Sequence, residues 1–306
     1  MTLVTRPCAV CGASEFAPVY PATVAADAGD PAAYFSSSRS RAGYLAIVRC
    51  TRCDLVMTNP RDDDATLART YAGLEDRAYD AEEHNRTQMA RAHLAFVQHH
   101  CARPGRLIDV GCATGTLARV ASEAGWQATG LDASAWAITR ARKRCPQAEF
   151  VSGLIEEAEF PAAGFDVVTL WDTLEHVSDP AAVLRRVRTW LRPDGWLFLN
   201  VPNCESIPAR LMGRRWVLLL REHLWYFSPR TITALLQHCG FAGVETRPNF
   251  VVFSLANVAD RIGQYPAAPA RVAGKLATSA IAKRIRLRFP IGEMNVAARK
   301  LEPPTA

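Results

Sequence analysis

No stretch of this 306-residue chain approaches the roughly 18 consecutive apolar residues of a membrane-spanning helix; the longest runs, such as Trp216–Leu220, are far too short. Residues Met1–Pro21 lack the uninterrupted apolar core of an export signal, so a soluble cytoplasmic protein is the expectation. Neither sign of charge dominates. Thirty-six Lys and Arg against 30 Asp and Glu give +6, a mildly basic balance that permits an anionic substrate or a membrane surface but falls short of a nucleic-acid footprint. Cysteine is present in an odd number, nine, with no export signal, which argues against a disulfide framework. The Gly-x-Gly-x-x-Gly fingerprint of dinucleotide sites is absent.

What the chain does contain is globular: 49% hydrophobic and 22% charged residues, over a length sufficient for one α/β domain and a small appendage. Four cysteines form two pairs at metal-ligand spacing, Cys8-x-x-Cys11 and Cys50-x-x-Cys53. Each pair resembles a knuckle in which two thiolates converge on one ion. Four thiolates with no open position imply a structural tetrahedral Zn2+ rather than a catalytic one. Residues 1–60 therefore read as a small zinc-ribbon-like module, with a loop-like insertion over Pro21–Ser40. Reduced thiols in a loop-rich arm, or a redox pair, are the competing readings. The module lacks the interleaved aromatic and basic residues of an RNA-binding arm.

The rest of the chain is organised around Leu107-Ile-Asp-Val-Gly-Cys-Ala-Thr-Gly115. An apolar run reads as a buried parallel strand, followed by a glycine turn and a helix over Thr116–Gly125. Gly111 allows backbone N–H groups to approach a ligand, and Gly115 lets the helix start pack on the strand. A second strand closes on Asp132, where a carboxylate can accept from ribose hydroxyls. Strands and helices then alternate: a helix to Arg144, a strand at Ala148–Ser152, a strand at Phe165–Asp172, a helix at Pro180–Leu191 and a strand at Trp196–Val201. That order implies a parallel sheet with its ligand at the strands' C-terminal ends. Before the first strand, residues 62–80 are acidic and then aromatic, and Ala81–His100 has a helical pattern whose histidines (His84, His93, His99, His100) read as solvated. A helix at 228–240 starts with Ser228 as N-cap and Pro229 in its first turn, and strands are expected at Phe241–Phe253 and Gly292–Lys300.

Taken together, the Asp109–Gly115 turn, Asp132, the Phe165–Val177 segment, the Leu191-Arg-Pro-Asp-Gly turn and Glu222–Phe241 resemble the class I S-adenosylmethionine-dependent methyltransferases over about residues 100–306. The resemblance implies a doubly wound, Rossmann-like sheet of seven mostly parallel strands with the last antiparallel. It places the donor against Asp109, Gly111, Cys112, Gly115, Asp132, Ala133, Leu154, Ile155 and Trp171. Two departures are visible: Ala113 replaces the middle glycine of the first motif, and Ser152–Glu156 offers no Asp or Asn for the adenine amino group. A cysteine-knuckle arm before the core resembles a branch concerned with sugars and natural products.

A hydroxyl acceptor needs a base. His223, beside Glu222 and Tyr226, and His176, four residues after Asp172, suit that task by their ordinary pKa. Asp172 can orient either, and Tyr226 completes the set. Pro202–Phe227 reads as a lid whose Arg210, Arg214 and Arg215 can meet a phosphate or carboxylate, or as a solvated basic loop anchored by Trp216. Ser254–Pro290 reads as an insertion whose basic helix over Arg271–Arg288 covers the sheet edge or rests on anionic lipid. The expectation is O-methylation of a small-molecule acceptor, a sugar or natural-product intermediate, with no nucleic-acid partner. N- or C-methylation, and a non-catalytic donor-binding protein acting through its zinc module, are the alternatives.

Overall fold

The structure, a computed structural model, describes residues 3–25, 43–77, 80, 82–254 and 286–301. Its centre is a seven-stranded sheet. The contributing strands are β6 (Arg106–Val110), β7 (Gln127–Asp132), β8 (Glu149–Ser152), β9 (Phe165–Trp171), β10 (Leu191–Pro202), β12 (Phe241–Pro248) and β15 (Glu293–Lys300). Their spatial order is β12-β15-β10-β9-β6-β7-β8. β15 is antiparallel to both neighbours, and the other pairings are parallel. The strand order reverses between β6 and β9, which opens a crevice at the C-terminal ends of those strands.

The strands form where the chain is apolar on both faces. Leu107, Ile108 and Val110 of β6 are buried completely, each burial contributing roughly 1.5–3 kcal/mol. Helices α3 (Thr116–Glu123), α4 (Ala135–Arg144) and α5 (Pro180–Trp190) cover the sheet through apolar stripes. In α5 the stripe is Val183, Leu184, Val187 and Trp190, and Asp179 caps the start by accepting from the Ala182 N–H. Helix α7 (Pro229–His238) begins with the expected Ser228 cap, extended into a reciprocal pair with Thr231.

The cysteine-bearing arm does not close on itself. Strands β2 (Phe16–Tyr20), β3 (Ile47–Cys50) and β4 (Val56–Thr58) form an antiparallel sheet whose fourth strand is β11 (Trp225–Tyr226), from far along the chain. β1 (Leu3–Val4) pairs with β5 (Arg61–Asp62). Cys8 and Cys50 share a buried cluster with Ile108, Val168 and Trp225. Asp62 holds Arg221 through two hydrogen bonds of 2.9 and 3.0 Å, both residues fully buried, and Arg61 donates to the Ser178 carbonyl.

Several local expectations change. Residues 62–80 contain a helix, α1 (Asp64–Ala72), capped by Asp63. In α2 (Glu83–His100) the histidines are not all solvated. His93 is 6% exposed and stacks on Trp171 at 3.9 Å, and the His100 ring lies against Phe198 and bonds Glu245. The stretch read as a lid is packed down: after α6 (Ile207–Met212), Trp216 is buried and its indole N–H donates to the Ile291 carbonyl. Arg210, Arg214 and Arg215 point to solvent. The strand expected through Phe253 breaks after Pro248, and β13 (Val251–Ser254) pairs instead with β14 (Arg286–Phe289). The end of the expected basic helix is thus a strand, and the rest of it, like most of Pro21–Ser40, lies outside the described residues.

Candidate active site

The crevice deepens into a cavity of about 620 Å³, a size suited to a cofactor together with a small acceptor. One wall is the turn after β6. Gly111 sits at φ 76°, and a Cβ there would lie 2.4 Å from the Thr173 hydroxyl oxygen. Four of this turn's backbone amides, however, are committed within the protein. Gly111 and Cys112 N–H donate to the Leu131 carbonyl, Gly115 N–H to the Cys112 carbonyl, and Ala113 N–H to Asp132 Oδ2 at 2.8 Å. The turn therefore offers shape and carbonyls rather than an anion-binding nest of amides, which suits a cationic ligand.

Asp132 ends β7 with its carboxylate on the cavity wall. Oδ1 accepts from the Ser134 N–H and Oδ2 from the Ala113 N–H, both at 2.8 Å. Each oxygen keeps one lone pair for a ribose hydroxyl. Ala133, Leu154 and Ile155 line an apolar slot beside it, with Glu156 at its edge. Asp109, below the turn, accepts from the Thr169 hydroxyl at 2.7 Å and is 4% exposed. Burial, together with the negative charge of Asp132, pushes its carboxyl up to about 7.

Four of the donor residues expected from sequence do not reach the cavity wall: Asp109, buried below the turn, and Trp171, Cys112 and Gly115. The Trp171 side chain turns to the opposite face of the sheet to meet His93. The Cys112 sulfur lies against Gly130, where a Cβ would come within 2.7 Å of it. Gly115, at φ 75°, serves packing: a Cβ there would meet Ala141 and the Phe150 ring within 2.9 Å.

The far end of the cavity gathers Asp172, His176, Glu222 and His223. Asp172 stands at φ 50° directly after β9. Burial pushes its carboxyl up to about 6 and that of Glu222 to about 7. The same burial pushes His176 down to about 4, and burial together with His176 drives His223 well below its ordinary value. Both rings are therefore neutral near pH 7. His223 Nδ1 lies 2.9 Å from the Leu218 carbonyl, and His176 Nδ1 lies 3.0 Å from the Glu222 carbonyl and 2.9 Å from the Tyr71 hydroxyl. A carbonyl only accepts, so each Nδ1 carries the proton and each Nε2 keeps a lone pair. Tyr226 does not join them. It is fully buried and its hydroxyl is spent on the backbone N–H and carbonyl of Leu220.

Helix α1 supplies a wall that sequence reasoning missed, through Asp64, Leu67, Ala68 and Tyr71. The signal was present in Asp63 as a cap and in the Leu67–Tyr71 spacing of four. Among the described residues, those lining the cavity include seven carboxylates and no Lys or Arg. A positively charged ligand is favoured there and a phosphate or carboxylate is not.

Elsewhere, the four knuckle thiols converge. Cys8 and Cys53 Sγ are 3.3 Å apart, Cys11 and Cys50 Sγ 3.5 Å, and all four lie within 4.8 Å of one another. A tetrahedral Zn2+ with Zn–S bonds of ≈ 2.3 Å would set its sulfurs about 3.8 Å apart, so the tetrad fits that ion. Gly12 and Asp54 take matching positive φ values, 70° and 65°, directly after Cys11 and Cys53.

Comparison with known proteins bears on this geometry. The profile of a methyltransferase domain matches residues 81–246. A ubiquinone biosynthesis O-methyltransferase of Albidiferax ferrireducens is 33% identical over 169 residues, covering 52% of this chain and 67% of that protein. One from Hahella chejuensis is 28% identical over 224 residues, covering 67% of this chain and 94% of that protein. Among solved structures, the YcgJ protein of Bacillus subtilis superposes with a TM-score of 0.51 at 18% identity, covering 72% of this chain and 99% of that one, a likeness of fold alone.

Proposed function

The chain belongs to the class I S-adenosylmethionine-dependent methyltransferases, and from that premise we propose that it methylates a hydroxyl of a small sugar or natural-product intermediate. The observation that carries this reading is the division of the cavity into two chemically different ends. Near β6 and β7 the wall offers one carboxylate with a spare lone pair on each oxygen, an apolar slot, and a field that is negative throughout. Near β9 it offers two neutral imidazoles.

The donor brings an already activated methyl group on a positive sulfur. This chain must hold, orient and shield it. Asp132 accepts from the ribose hydroxyls, Ala133, Leu154 and Ile155 enclose the adenine, and Asp109 with the surrounding carboxylates balances the positive charge. His176, His223 and Asp172 receive the acceptor, directing its oxygen along the methyl–sulfur axis and drawing off its hydrogen as the new C–O bond forms. Absence of Lys and Arg from the described residues of the lining argues for a neutral acceptor over a phosphorylated or carboxylated one. The names of the relatives, ubiquinone biosynthesis O-methyltransferases, support oxygen as the atom methylated.

The cysteine tetrad holds one structural Zn2+ in this reading. Metal analysis should find one zinc per chain, lost on Cys11→Ser.

The experiment on function is a screen of hydroxylated small molecules with methyl-labelled donor. His223→Ala should bind the donor as the parent chain does and lose turnover by at least about 100-fold, the scale of a general base or a comparable activating group. Full turnover in that variant removes His223 from the reaction. Label on nitrogen or carbon alone removes the O-methylation reading.

A further inference from the structure

Leu74 and Asp76, from the connection between α1 and α2, line the donor side of the cavity. Ser134, two residues beyond Asp132, donates its hydroxyl to the Leu74 carbonyl at 2.7 Å, and the Asp80 N–H donates to the Asp76 carbonyl at 3.1 Å. Asp80 does not itself reach the wall, yet its carboxylate meets two arginines from the end of α4. Oδ1 lies 2.7 Å from Arg144 Nη1, and Oδ2 accepts from Arg140 Nε at 3.3 Å. Each arginine then touches a residue that does line the cavity. Arg144 Nη1 donates to the Thr114 hydroxyl at 3.0 Å, in the turn after β6. The Arg140 guanidinium lies 3.9 Å from the centre of the Trp136 ring.

We propose that Asp80 is a positioning residue for the methyl donor: through Arg144 and Arg140 it fixes the Thr114 and Trp136 walls of the donor end and fastens the α1–α2 connection beside them. One carboxylate oxygen goes to each arginine, so the two guanidiniums cannot shift independently. The side chains of Asp80, Arg140 and Arg144 are 21%, 37% and 25% exposed, which shields the network from the screening that makes a solvated pair worthless. Attraction of a helix C-terminus for cations accounts for arginines at the end of α4. It does not account for their side chains reaching Thr114 and the Trp136 face, where Asp80 balances their charge. Glu83 of α2, 3.7 Å from Arg144 Nη2, is a more distant partner that reaches neither wall residue's arginine as closely as Asp80 does.

This role concerns the donor, and it rests on the family assignment and not on the identity of the acceptor. Two physical effects follow from removing a charge here, and they are separable. Acting only through space, Asp80 attracts a cationic donor and the arginines repel it. Asp80→Asn then weakens donor binding and Arg144→Gln strengthens it. Acting by position, both residues hold the same walls, and both substitutions weaken binding. S-adenosylhomocysteine, the demethylated product, sharpens the contrast because it has the same adenosyl frame without the positive sulfur. A through-space effect falls on the donor alone, whereas a loosened wall weakens both ligands by the same factor.

The test is calorimetry and stopped-flow binding on the full chain, with S-adenosylmethionine and S-adenosylhomocysteine as probes. Asp80→Asn and Arg144→Gln should each bind both ligands about tenfold more weakly, chiefly through faster dissociation, and the double variant no more weakly than the worse single one. Asp80→Glu keeps the carboxylate and should stay within about threefold of the parent chain. Tighter donor binding by Arg144→Gln, a loss in Asp80→Asn confined to S-adenosylmethionine, or unchanged binding in both variants overturns the positioning role. Should Arg144→Gln fold poorly, Arg140→Gln decides by the same comparison: both ligands weakened supports the role, and S-adenosylhomocysteine unaffected overturns it. A chain that binds both ligands in the expected pattern but methylates no hydroxyl keeps the role of Asp80 and removes the hydroxyl reading. A parent chain that binds neither ligand overturns both.

Discussion

Asp132 and Asp109 show how one residue type serves two purposes in one cavity. Asp132 is held by two backbone N–H groups and in turn holds the turn after β6. Asp132→Asn swaps one acceptor for a donor that faces an N–H. It should cost about 1–3 kcal/mol of stability and weaken donor binding on the order of 100-fold, read by thermal melting and calorimetry. Asp109 is different because its carboxyl is raised by burial to about 7. In the donor-free protein this is a cost that is absent below the unfolded carboxyl's pKa near 4, grows as pH rises and is complete above 7. The positive donor needs the ionised form, so its affinity should fall up to about tenfold from pH 7 to pH 6. Asp109→Asn should flatten that pH profile, raise the donor-free melting temperature at pH 8 but not at pH 4, and weaken binding at pH 8. A melting temperature at pH 8 unchanged by the substitution would show that the buried charge carries no such cost.

Among the elements, the join between β6 and α3 depends on a single missing methyl. Gly115 combines a left-handed backbone with Ala141 and Phe150 packed where a Cβ would stand. Gly115→Ala should destabilise the protein by about 1–3 kcal/mol, a melting shift of several degrees. Helix α1 was legible only in hindsight. Nine residues with a weak apolar stripe gain their place from the cavity they cover, and tertiary contact rather than propensity makes them a helix. The same holds for His93. Nothing in its neighbours along the chain distinguishes it from solvated His84; the Trp171 ring it stacks on arrives from β9.

At the scale of the whole molecule, a chain of strand pairings runs from the cysteine tetrad to the acceptor end. Cys50 closes β3, β3 pairs with β4, and β4 pairs with Trp225–Tyr226, two residues beyond His223. Thr58 of β4 also donates its hydroxyl to the His223 carbonyl at 2.7 Å. Cys50→Ser should therefore lower melting temperature and raise the acceptor KM while donor affinity stays near that of the parent chain. Equal loss of donor and acceptor binding would mean that the arm supports the whole fold rather than this end.

How far the chain was readable follows from the range of the forces involved. Apolar runs, caps and the glycine turn act over a few residues, so the sequence by itself determined the strand–helix alternation, Asp132 at the end of β7 and both cysteine knuckles, while the count of seven strands came with the family resemblance that those motifs carry. Only the tertiary structure decided what depends on pairing across the chain. Tyr226 is spent on Leu220, Trp171 turns away from the cavity, the supposed lid is packed down around Trp216, and Glu175 meets His176 and His223. Each of these is settled by burial between segments far apart along the chain, where an unmet polar atom or an unfilled space is costly, and no local pattern carries that information.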